Sequence, residues 1–71
     1  MRYAVVFEKA PRNWGAYVPD LPGCVATAAT LEEARRVIAE AIEFHIAGMR
    51  LRSETVPEPT AVAEIVEIKA A

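Results

Sequence analysis

The chain has 71 residues, 54% of them hydrophobic, with eight Lys and Arg against ten Asp and Glu for a net charge of −2. So much apolar content excludes disorder, and apolar runs far short of the roughly 20 residues that cross a bilayer exclude a membrane helix. The acidic balance argues against non-specific binding to nucleic acid and in favour of a basic protein partner.

Seventy-one residues make one domain, 1–71, and a domain of this size buries only about 60% of the surface its unfolded chain exposes. No basic stretch followed by an apolar run opens the chain, and the single Cys24 cannot form an internal disulfide, so a cytoplasmic setting is expected. The chain has no Gln, only Asn13, and six Arg to two Lys, a scarcity of thermolabile amides that suits a thermophile.

In chain order, residues 2–8 (RYAVVFE) read as a strand whose Tyr3, Val5 and Phe7 form one apolar face. A loop at 10–13 returns the chain, and 14–18 (WGAYV) alternates Trp14, Ala16 and Val18 against Gly15 and Tyr17. Pro19-Asp20-Leu21-Pro22-Gly23 stops that strand, because two prolines fix φ and remove donors while Gly23 permits positive φ. Residues 24–28 resume an extended run, with Cys24, Ala26 and Ala28 on one face and Val25 and Thr27 on the other.

Thr30-Leu31-Glu32-Glu33 has the form of a capping box and predicts a helix from Leu31 to near Met49. Leu31, Ala34, Ile38, Ala41, Ile42, His45 and Met49 form its sheet-facing stripe, and Glu32 precedes Arg36 at the favourable i,i+4 spacing. Val37 and Phe44, with Gly48, make a second apolar strip suited either to contact with another subunit or to widening the core. Pro57 and Pro59 then give an extended connector, and 61–69 (AVAEIVEIK) reads as a fourth strand.

The expected fold is therefore α+β, a two-layer β-β-β-α-β arrangement. A right-handed crossover after the third strand gives a four-stranded mixed sheet of order 3-2-1-4, with the helix packed on one face. Nothing covers the other face, which predicts a bound partner or self-association as a homodimer or tetramer.

Chemistry is thinly represented. Cys24 lacks a neighbouring His and reads as a small buried filler, and His45 lies within the helix's apolar stripe as a core imidazole. One His and one Cys 21 residues apart give no metal-ligand cluster, and no nucleotide, hydrolase or zinc motif is present. No catalytic residue, metal or cofactor is expected, and the residues alone describe a small binding module.

Tyr17-x-Pro19-Asp20-Leu21-Pro22-Gly23-Cys24, then Thr30-Leu31-Glu32-Glu33-Ala34, Glu40-Ala41-Ile42 and Val56-Pro57-x-Pro59, together resemble the HicB family of type II antitoxins across roughly residues 3–66. Family members often carry a Gly and an acidic residue where this chain has Ala28 and Ala29. Many also continue into a DNA-binding module, so the resemblance is to the N-terminal domain standing alone, without direct nucleic-acid binding. It implies a partial ribonuclease-H-like fold. A working enzyme of that fold needs clustered carboxylates on its central strand, where this chain has Tyr3, Ala4, Val5, Val6 and Phe7 with Glu8 at the end.

The resemblance further implies neutralisation, by binding, of a HicA-like toxin, a small basic protein that cleaves mRNA. Aromatics and a rigid turn make good anchors, so Trp14, Tyr17, Asp20, Leu21 and Pro22 are the candidate partner contacts, with Val37 and Phe44 for self-association. The turn residues equally suit turn architecture and core packing. Competing readings are an orphan oligomeric regulator and a metal-dependent nuclease.

Overall fold

The computed structural model describes residues 1–70. Three strands, β1 (Val6–Lys9), β2 (Trp14–Tyr17) and β3 (Val25–Ala28), precede one helix, α1 (Leu31–Leu51). The strands form an antiparallel meander of order β1-β2-β3, paired Phe7↔Ala16 and Ala16↔Ala26 at its centre. The 10–13 loop closes with Ala10 N–H donating to the Asn13 carbonyl at 2.8 Å.

Alternation decides which side of the sheet is buried. The row Phe7, Ala16, Ala26 faces α1, and the neighbouring row Val6, Tyr17, Val25 faces away from it. Ala16, Val18, Leu21, Cys24 and Ile38 form the core, and Ala34 is also buried. Tyr3, Val5, Phe7, Ala41, Ile42 and Ile46 pack around that core. On α1 the sheet-facing stripe thus continues through Ile46 beside the expected Ala41 and Ile42.

Both ends of α1 are capped, and the second cap aims the chain. At the N-terminus the Thr30 hydroxyl accepts from Glu33 N–H at 3.1 Å, the first half of the expected capping box. Arg36 takes its acidic neighbours on either side, Glu40 at 3.1 Å and Glu33 at 4.0 Å, rather than the expected Glu32. All three are exposed, so these pairs are worth a few tenths of a kcal/mol each, about 0.3. At the C-terminus Ser53 adopts φ 57, its N–H donating to the Arg50 carbonyl at 3.1 Å while Glu54 N–H donates to Met49 at 2.9 Å. That bonding pair is a Schellman motif with serine in the glycine position, and it turns the chain back toward the sheet.

The sheet differs from expectation in two respects. Residues 61–69 do not form a fourth strand: residues 54–70 have no regular secondary structure, and the sheet is three-stranded and wholly antiparallel. The start of this segment is committed elsewhere, since the Thr60 and Ala61 amides donate to the Asp20 carboxylate at 3.0 and 2.9 Å. β1, expected to be central, is consequently an edge strand. It also starts at Val6 rather than at Arg2, because its partner β2 ends at Tyr17 where the proline-bounded turn carries the chain away.

Gly23 makes that turn sterically possible. Its φ is +84, a region that costs a residue with a Cβ about 1–2 kcal/mol, while a Cβ built there meets no atom within 4 Å. Gly23→Ala is therefore expected to lower unfolding stability by about 1 kcal/mol through the backbone alone, measured by urea denaturation with an unchanged m-value.

Candidate protein-interaction surface

The turn between β2 and β3 is closed by nested backbone bonds. Leu21 N–H donates to Val18 at 3.1 Å, Cys24 N–H to Leu21 at 3.0 Å, and Val18 N–H to Cys24 at 3.2 Å. Inside this frame Leu21 points inward and is 1% exposed. Of the two readings the sequence leaves open for it, partner contact and core packing, its burial fits the second: it anchors the turn to the core. Burying a leucine contributes about 1.5–3 kcal/mol, which is why the apolar member of a proline-flanked turn turns inward. Pro19 and Pro22 remain exposed beside it.

Asp20 performs a structural task that the sequence does not reveal. Its carboxylate accepts three hydrogen bonds from the C-terminal segment: Thr60 N–H at 3.0 Å, Ala61 N–H at 2.9 Å and the Thr60 hydroxyl at 2.9 Å. These bonds, chiefly the Ala61 amide, hold the Asp20 carboxyl below its usual range. Tyr3 adds a second attachment, its hydroxyl donating to the Pro57 carbonyl at 2.6 Å. The partners lie 40 and 54 positions apart, beyond any local signal.

The remaining candidates separate. Trp14 and Tyr17 stand at opposite ends and on opposite faces of β2, so they cannot share one contact. Tyr17 is 41% exposed, on the outer row with half-buried Val6 and exposed Val25. Trp14, at the other end, has the Lys9 ammonium 5.9 Å from its ring centroid. Val37 and Phe44 share a helix face, Val37 half-buried and Phe44 83% exposed. Cys24 is buried, and burial raises its thiol pKa, away from the thiolate a nucleophile needs. His45 is half-buried on α1. Among the described residues no three His, Cys, Asp or Glu side chains converge as a cation site requires, and no helix is long and apolar enough to cross a membrane.

The fold is that of a small α+β module in which a turn closed by nested backbone bonds stands beside an exposed apolar row. The chain matches the family model described as HicB-like antitoxin of bacterial toxin-antitoxin system over residues 3–70, and it belongs to that family. It is 36% identical over 66 residues to an uncharacterized 14.9 kDa protein in the rep-hol intergenic region of Haemophilus phage HP1, covering 93% of this chain and 50% of that protein. It is also 43% identical over 44 residues to a UPF0150 protein of Helicobacter pylori, covering 62% of this chain and 61% of that one. The chain thus spans about half to three-fifths of the length of these relatives.

The Asp20 linkage has a definite sign. A carboxyl with a folded-state pKa below its unfolded value, about 3.9, stabilises the attachment above that value and loses it as pH falls through the folded pKa. Acidification below about pH 4 is therefore expected to release residues 60–61 before the core unfolds. In NMR titration the Thr60 and Ala61 amide shifts should follow the Asp20 carboxyl, and Asp20→Asn should erase that acid transition.

Proposed function

We propose that this chain neutralises a small, basic, mRNA-cleaving toxin of the HicA type by binding it and covering its RNA-contacting face, in the cytoplasm where the mRNA lies. The observation that carries this reading is the antitoxin-family match across residues 3–70. Two physical features support it. The net charge of −2 favours encounter with a basic protein, and a toxin whose substrate is a polyanion presents positive charge on the face to be covered. Occlusion needs exposed, preorganised contacts rather than reactive groups, and Tyr17 with Pro22 supplies them at the end of β2 and on the turn.

Within this reading the turn residues divide their work. Tyr17 and Pro22 touch the toxin, Leu21 holds the turn from inside, and Asp20 fastens it to the C-terminal segment. Trp14, facing the other way at the far end of β2, stands outside this contact.

The test takes a candidate toxin, a small basic protein that stays bound to the tagged chain on purification from its native cells, and assays it for RNA cleavage. Stoichiometric addition of the wild-type chain should abolish cleavage, and Tyr17→Arg with Pro22→Arg should weaken toxin binding at least 10-fold while circular dichroism stays unchanged. Leu21→Ala is a different kind of variant. It should cost about 2–5 kcal/mol of stability and reduce neutralisation only through loss of fold. Undiminished cleavage in the presence of excess wild-type chain would overturn the proposal.

A further inference from the structure

Residues 61–69 leave the body of the molecule with their apolar side chains in solvent: Val62 is 81% exposed, Ile65 99%, Val66 70% and Ile68 77%. This is not the usual fate of a segment that alternates valine and isoleucine with glutamate. The Cα radius of gyration is 14.0 Å, against about 11 Å for a compact domain of this length, and the long axis reaches 51 Å. The segment is an arm.

The arm is fixed where it begins. Asp20 holds Thr60 and Ala61, and Tyr3 holds Pro57, so residues 61–65 run beside β1 and the residues preceding it. They do not close on it. An open, mainly apolar cleft of about 540 Å³ separates residues 4–7 from residues 61–65, and β1 hydrogen-bonds β2 on one side only. Each copy of the chain therefore has an unpaired strand edge at β1 and a strand-patterned arm that pairs with nothing.

We propose that the arm is exchanged between two copies: beyond the Ala61 anchor, residues 62–69 of each swing out of the cleft beside its own β1 and lie as an added β-strand along the β1 edge of the other, which the other arm has vacated in the same way. Three observations select a second copy as the occupant. The eight residues 62–69 beyond the anchor span about 26 Å when extended, and residues 2–9, which line or form the β1 edge, are eight residues as well. Donor and acceptor edge occur on every copy, so a two-fold pair satisfies both arms and both edges at once and leaves no open end for further addition. The composition also matches, because Val62, Val66 and Ile68 would extend the apolar rows of the sheet, and no strong charge of one sign on the arm requires a partner of the other. The proposal does not depend on the toxin reading, and its test contains this chain alone.

Val66 and Ile68 touch little in the single chain, so replacing them cannot unfold it through lost packing. The test compares the full chain with a V66K/I68K variant by sedimentation equilibrium and by hydrogen exchange. A wild-type dimer with amides of residues 62–68 protected in proportion to dimer population, and a dissociation constant raised at least 100-fold by the variant at unchanged circular dichroism, is the expected result. Three outcomes would each overturn the proposal. One is a monomer with unprotected arm amides throughout the concentration range. Another is arm protection independent of concentration, which is closure within one chain. The last is a dimer that the variant leaves intact, which places the interface elsewhere, for example at Phe44.

Discussion

The burial of Leu21 is the constraint on which the rest of the structure depends. A leucine that is 1% exposed draws the chain between Pro19 and Gly23 into the core and fixes where β2 stops and β3 begins. Once that turn is set, Val18 and Cys24 are brought face to face by a backbone bond, and the alternation of both flanking strands is decided. Ala16 and Ala26 then face α1, against which Ala34 and Ile38 can pack closely because the facing side chains are small. Five residues specify a turn, a register and the face on which the helix lies.

Asp20 extends that control to the far end of the chain. Leu21 turns inward and its neighbour Asp20 keeps its carboxylate at the surface, where three donors from Thr60 and Ala61 meet it. The Schellman motif at Ser53 and the proline connector bring those donors within reach, with the Tyr3–Pro57 bond alongside. The same turn therefore presents one surface outward, through Pro19 and Pro22, and holds the C-terminal arm. A partner that presses on the turn acts on residues covalently adjacent to the arm's anchor.

Local chemistry made most of the elements legible in the sequence. The Thr30 cap, the proline stop after Val18, the positive φ at Gly23 and the alternating faces of β2 and β3 each depend on residues within a few positions of one another, and each is present in the structure. What could not be read depends on distant partners. The AVAEIVEIK alternation reads as a fourth strand, but 61–69 forms none: the attachment of Thr60 and Ala61 at Asp20 offsets the segment from the β1 edge. For Leu21 the sequence leaves contact and core packing equally open, and only the core that claims the leucine decides between them. The alternation along 14–18 sets Trp14 and Tyr17 on opposite faces in the sequence, and the structure keeps them there.

Apolar surface left outside the core is the remaining physical question, and it has a common explanation. Val25, Phe44, Ile65, Val66 and Ile68 are all more than half exposed, while among the described residues the buried hydrophobic side chains are Ala16, Val18, Leu21, Cys24, Ala34 and Ile38. A domain of this length cannot cover both faces of its sheet with one helix, so self-burial is limited by size. Such exposure favours aggregation in a protein that works alone. In a protein that works by binding it supplies the driving force for association, while the nested turn and the capped helix keep the contact residues ordered beforehand. The small core and the exposed apolar surface thus have one origin, a single helix that covers one face of a three-stranded sheet and leaves the other face to solvent.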